Sequence, residues 1–125
     1  MELREYFENT EGTGVLSTAD SQGNVDAAIY ARPHIMDDGS LALIMRDRLS
    51  HANLQSNPKA VYLFKEGGKG YKGKRLYLKK LSEEKNTERL QEMRRRTYAE
   101  DKDEDLFLVF FSITKELPLI GSGDK

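Results

Sequence analysis

The chain has 125 residues, enough to bury a single core, and is expected to form one domain over 1–125. Its 20 Lys and Arg are balanced by 21 Asp and Glu, so net charge gives no reason to expect nucleic acid or a membrane as partner. Lack of cysteine excludes disulfides, thiolate metal sites and cysteine nucleophiles; no apolar run approaches ~20 residues and no leader-like start is seen, so a cytoplasmic protein is expected.

Leu3, Tyr6 and Phe7 recur at helical spacing and predict a short opening helix. From Gly14 the period changes to two. Residues 14–20 and 25–36 alternate on either side of a turn at Ser21 to Asn24. In the second run Val25, Ala27, Ile29, Ala31 and Ile35 share one face, and Tyr30, Arg32 and His34 the other. After a turn at Asp37 to Ser40, Leu41 to Arg46 is a third strand. Residues 48–58 read as a short helix stopped by Asn57-Pro58. Ala60 to Phe64 is a fourth strand and Lys74 to Leu81 a fifth. Residues 82–98 have helical propensity, with Leu90 and Met93 inward and Glu92 four residues before Arg96. Glu100 to Asp105 reads as a solvated acidic link. Leu106 to Thr114 is apolar at nearly every position, as in a strand covered on both faces. One face fills a barrel; the other must meet a helix or a second chain, and a homodimer is expected. Six strands with little else predict a mainly β fold with short helices, a six-stranded antiparallel barrel.

Two stretches compete as a phosphate site. Gly68, Gly70 and Gly73 match G-x-G-x-x-G, but that fingerprint needs a following helix whose N-terminus holds the phosphate, and here a strand follows. The stretch reads instead as a long hairpin with solvated lysines. The other candidate is the corner after the third strand. Arg46 and Arg48 offer forked, charge-assisted bonds, and Ser50 opens a helix with unpaired backbone N–H groups. The same stretch also fits a surface helix capped by Asp47 or Ser50 beside two solvated arginines.

Residues 14–64 resemble the pyridoxamine 5′-phosphate oxidase-like family of FMN-binding split β-barrels. The resemblance rests on the G-x-L-x-T strand and D-x-x-G turn of Gly14 to Gly23, Arg32-Pro33 late in the second strand, and the acidic-Gly turn Asp38-Gly39. A third strand, a helix running into Asn57-Pro58 and a fourth strand follow. The second half agrees in order but not in specific motifs. The resemblance implies a six-stranded antiparallel split β-barrel and a homodimer with FMN in clefts at the subunit interface. Tyr30, Ala31, Arg32 and Pro33 would line the flavin ring, Ile44 and Met45 would continue that wall, and Arg46, Arg48 and Ser50 would hold the phosphate. Many members carry lysine where Ser50 stands, preceded by Ser or Thr near Arg48; here charge and hydroxyl are exchanged.

An FMN-dependent oxidoreductase or electron carrier needs no visible acid–base constellation, because the flavin supplies the redox chemistry. No catalytic residue is assigned, a small-molecule redox substrate or electron donor is the expected partner, and neither His34 nor His51 stands at metal-ligand spacing. The vitamin oxidases of the family are longer and use a C-terminal substrate-binding segment, so that activity is not expected. The alternatives are a split-barrel binding module without redox activity, holding haem or another ligand, and a nucleic-acid binder. The latter would use the basic stripe Lys65 to Lys80 with Tyr71 and Tyr77 interleaved.

Overall fold

The computed structural model describes residues 2–94 and 104–121. In chain order these form α1 (Leu3–Asn9), β1 (Gly12–Ala19), β2 (Val25–Tyr30), β3 (His34–Ile35), β4 (Leu41–Arg46), α2 (Leu49–Ser56), β5 (Lys59–Glu66), β6 (Gly73–Lys85), α3 (Glu88–Met93) and β7 (Leu106–Pro118). The strands make one sheet in the order β2-β1-β5-β6-β7-β4-β3, every pairing antiparallel.

That order dictates a split barrel. β2 and β3 occupy opposite edges of the sheet yet are consecutive in the chain, joined only by residues 31–33. Four residue steps span at most about 14 Å, so the sheet must curl until its two edges nearly meet. Pro33, which has no N–H to donate, sits in the connection and divides the expected second strand in two, giving seven strands rather than six.

Inside the curl, Phe7, Leu16, Met45, Tyr62, Phe64, Leu76 and Phe111 are buried together. Phe7 comes from α1, which plugs one end, its ring edge-on to Tyr62 and Phe64. β7 is apolar on both faces, as expected. Its second face, Leu106, Leu108 and Phe110, packs with Ala42 and the fully buried Leu90 of α3. A helix, not a second chain, therefore covers this strand, and the expectation of a dimer cannot rest on it.

The expected helix over 82–98 is corrected at its start. Ser82 to Lys85 continue β6, because their backbone pairs with Phe110 to Phe107 and completes the hydrogen bonding of the buried β7. Thr87 then caps α3, its hydroxyl accepting from Leu90 N–H. The expected Glu92–Arg96 pair, the continuation to Tyr98 and most of the acidic link lie outside the described residues. Glycines 68 and 70 adopt φ of 89° and 93° in the β5–β6 hairpin, the conformation expected of that loop. No helix among the described residues is long and apolar enough to cross a membrane.

Candidate functional site

The gap where the curled sheet fails to close is a cavity of about 510 Å³. β2 contributes Asp26, Ala28 and Tyr30 to one wall, and its continuation adds Ala31, Arg32 and His34. β4 contributes Ile44 and Arg46 to the other, with Arg48, Leu49 and Ser50 of the β4–α2 corner at the end. The cavity thus joins an apolar and aromatic cleft to a cationic corner. The glycine-rich loop lines none of it.

Alternation decides which β4 side chains reach the cavity. Ile44 is half-buried and faces it; Met45 points the opposite way, into the core, with no exposed surface. Pro33 is buried and lines a separate, smaller cavity of about 240 Å³ beside α1. The structure therefore brings together the side chains of Tyr30, Ala31, Arg32, Ile44, Arg46, Arg48 and Ser50, and leaves those of Met45 and Pro33 outside.

Arg32 borders the cavity, but its guanidinium is committed elsewhere. It donates to the carbonyls of Phe7 at 2.9 Å and Thr10 at 3.1 Å, the C-terminal end of α1. This arginine ties the opening helix to the cleft. The main chain next to it is fixed from behind by Tyr62, which is fully buried and donates its hydroxyl to the Ala31 carbonyl at 3.1 Å. The Tyr62 hydroxyl reaches that carbonyl over Gly14, where a Cβ would lie 1.9 Å from it.

At the corner, Arg48 is the N-cap residue of α2 and the helix has no side-chain cap at that position, so the cap expected of Asp47 or Ser50 in the alternative reading is not its N-cap. Arg46 Nη1 and Arg48 Nη1 each lie 2.6 Å from one oxygen of the same carboxylate, Glu104. Glu104 belongs to the stretch expected to be solvated, yet its side chain is 16 % exposed. Its Oε2 accepts a hydrogen bond from Arg46. Its Oε1 is buried without a hydrogen bond, since Arg48 is close but not aligned. The Ser50 hydroxyl is buried and donates to Asp26 Oδ2 at 3.5 Å. Burial raises the Tyr30 phenol pKa, the Ser50 hydroxyl lowers it and Asp26 raises it; the sum is upward, so the phenol stays protonated. Arg94, just past α3, adds another cation to the lining.

His51 braces this corner. It is buried, stacks on Phe107 at 3.8 Å, and its Nε2 lies 3.1 Å from both oxygens of Glu83. Its Nδ1 is 3.5 Å from Asp47, the residue between the two arginines. Burial opposes ionisation of Glu83, but hydrogen bonds from Lys80, Gln55 and His51 outweigh it and hold its pKa down to about 2.

Sequence reasoning missed Asp26, Glu104 and Arg94. Glu104 and Arg46 are 58 residues apart, and no local pattern signals that pair. The orientation of Met45 was available, since neighbouring side chains of a strand point to opposite faces and Met45 cannot share the face of Ile44.

No family model matches the chain, and no curated protein does. Several solved structures are similar. An FMN-binding protein from Syntrophomonas wolfei subsp. wolfei has a TM-score of 0.76 at 22 % identity, covering 94 % of this chain and 84 % of that one. HupZ from Group A Streptococcus has a TM-score of 0.65 at 14 % identity, over 96 % and 93 %. A pyridoxamine 5′-phosphate oxidase-related, FMN-binding protein from Nostoc punctiforme has a TM-score of 0.60 at 12 % identity, over 89 % and 76 %. The chain has the split β-barrel fold of these FMN-binding and pyridoxamine 5′-phosphate oxidase-related proteins, as its residues 14–64 led one to expect.

Proposed function

We propose that the chain binds flavin mononucleotide in this cleft, as a homodimer, and serves as an oxidoreductase or electron carrier for a small-molecule partner. One observation carries the reading: the opening of the split barrel is an apolar cleft that ends in two arginines and a helix N-terminus. A flavin mononucleotide has the matching halves, a flat aromatic ring and a terminal phosphate dianion. When bound, it would supply electron or hydride transfer.

The roles of the residues follow from their placement. Arg46 and Arg48 neutralise the phosphate, and the first N–H groups of α2 face it. Tyr30, Ala31 and Ile44 form the walls for the ring, with the Ala31 carbonyl held in place by Tyr62. Arg32 acts by closing α1 onto the cleft rather than by contacting the phosphate.

The second copy belongs on the outer face of the β2 edge. Val25 and Ile29 are 82 % and 71 % exposed there. Register places Val15 beside Ile29, Leu63 beside Val15, and Val61 beside Tyr77, so the apolar face continues across four strands. Ile29 and the exposed Leu49 also stand at the rim of the cavity, so a partner that covers them would close the cleft from outside. The basic stripe does not form one surface: Lys74 pairs with Glu116 and Lys80 with Glu83.

Titration of flavin into the protein, read by quenching of flavin fluorescence with light scattering in parallel, tests the proposal. The expected result is saturable FMN binding, one per chain, to a particle of twice the 14.3 kDa chain mass. A monomer that leaves flavin fluorescence unchanged would overturn it.

A further inference from the structure

Glu104 presents an anion to the very arginines assigned to the phosphate. Its two oxygens each contact one guanidinium at 2.6 Å, which is how two oxygens of a phosphate would engage the pair. We propose that Glu104 is a tethered competitor: its carboxylate holds the corner until a terminal phosphate, or another anion with two free oxygens, displaces it. The inference rests on the flavin-phosphate reading above and adds how that site is regulated.

Three observations carry it. The contact is close to two charges yet incompletely satisfied, because Oε1 is buried without a hydrogen bond. A carboxylate desolvated on those terms is replaceable by an anion that completes the bonding. The main chain behind it is fixed: Leu106 N–H donates to Asn86 Oδ1 at 2.8 Å, Asn86 N–H donates to the Leu106 carbonyl at 2.8 Å, and Asn86 Nδ2 donates to Asp105 at 3.0 Å. The carboxylate is thereby kept at high effective concentration next to the arginines, and can leave by rotation of its own side chain. Finally, carboxylate and phosphate cannot share the corner, since that would bring two anions together on the same two arginines, in a cavity whose lining already includes Asp26. Binding is an exchange of anions rather than an addition, and affinity is set by the difference between them. The two arginines then keep a counter-charge when the site is empty, and the cofactor is released more readily than it would be without that competitor.

Glu104→Gln and Glu104→Asp separate this from its rivals. The amide removes the charge; the shorter acid keeps the charge but cannot reach both arginines. Competition predicts that Glu104→Gln tightens FMN binding by about tenfold, that Glu104→Asp recovers most of that gain, and that riboflavin affinity is unchanged in both. Weaker or unaltered FMN binding in Glu104→Gln would overturn the proposal, showing a carboxylate that orients the arginines or does nothing. Tighter binding in Glu104→Gln with Glu104→Asp at the wild-type value would also overturn it, leaving only repulsion at a distance. Failure of the flavin-phosphate reading looks different: the wild type itself would bind FMN and riboflavin equally. The rise in melting temperature with inorganic phosphate, measured on the same three proteins, decides the matter without flavin. Both variants should respond more strongly than the wild type, and equal responses would refute competition.

Discussion

Gly14→Ala places a methyl group where the Tyr62 hydroxyl must pass. The added Cβ would lie 1.9 Å from that oxygen, 2.5 Å from its ring carbon and 2.8 Å from the Tyr30 carbonyl, all inside the 3.0 Å limit for real contacts. Tyr62 cannot swing away, because it is fully buried between Phe7 and Phe64. Overpacking of this kind costs roughly 1–3 kcal/mol, and displacing the hydroxyl from the Ala31 carbonyl adds about 1 kcal/mol. Replacing glycine in an extended strand restricts the unfolded chain, which offsets about 0.4–1 kcal/mol. The net loss is about 1–3.6 kcal/mol, a large part of the ~5–15 kcal/mol that holds a domain folded. Urea denaturation reads it as a lower midpoint at unchanged slope. Tyr62→Phe alone should cost about 1 kcal/mol. In the double variant the clashing oxygen is gone, so the two costs should fall short of additivity by about 1 kcal/mol. A cost for Gly14→Ala below about 0.5 kcal/mol, the range of inert surface changes, would refute the packing argument. So would simple additivity.

Further outcomes follow from other parts of the molecule. Arg32→Ala should free the C-terminal end of α1 and lower stability by about 1.5–3 kcal/mol, with faster amide exchange in α1 and at most a few-fold change in FMN affinity; a selective loss of FMN binding with α1 unaffected would place Arg32 at the cofactor instead. Ile29→Asp on the exposed face of β2 should shift light scattering from dimer to monomer without unfolding the chain, and a dimer that persists would move the interface elsewhere. Glu83 has its folded pKa depressed from 4.5 to about 2, so its contribution is present above pH 4.5 and is lost as pH falls through 2. Glu83→Gln should therefore flatten the acid side of the stability profile between those values, by up to about 3 kcal/mol; an unchanged acid limb would mean the His51–Glu83–Lys80 cluster adds no net stability.

Much of the fold was legible because alternation and turn residues are local signals. Val25 to Tyr30 and Leu41 to Arg46 appear as strands where they were expected, β7 appears where the continuous apolar run places it, and a strand, β6, follows the glycine loop. What the sequence hid was decided by partners far along the chain. Ser82 to Lys85 have helical propensity, but β7 requires a backbone partner and draws them into β6. Arg32 looks like a ligand-facing strand residue and instead closes α1, 22 to 25 residues away. Glu104 sits in an acidic run of the kind usually solvated, yet two arginines 56 and 58 positions earlier bury it. The candidate site was thus legible as a location, the β4–α2 corner facing β2, while its charge balance was not.

The most direct test of the account is the affinity of the Arg46→Ala, Arg48→Ala double variant for FMN compared with riboflavin. Each lost charge-assisted bond is worth ~1.5–3 kcal/mol, and Glu104, no longer neutralised, would face the incoming phosphate as well. FMN affinity should fall by about a hundredfold or more, at about 1.4 kcal/mol per factor of ten, while riboflavin affinity stays within a few-fold of the wild type. Replacing the exposed Lys69 and Lys72 should leave both ligands within about fivefold, the limit for exposed charges. Equal losses for FMN and riboflavin, or a loss of FMN binding on changing the loop lysines and not the arginines, would contradict the placement of the phosphate at the β4–α2 corner.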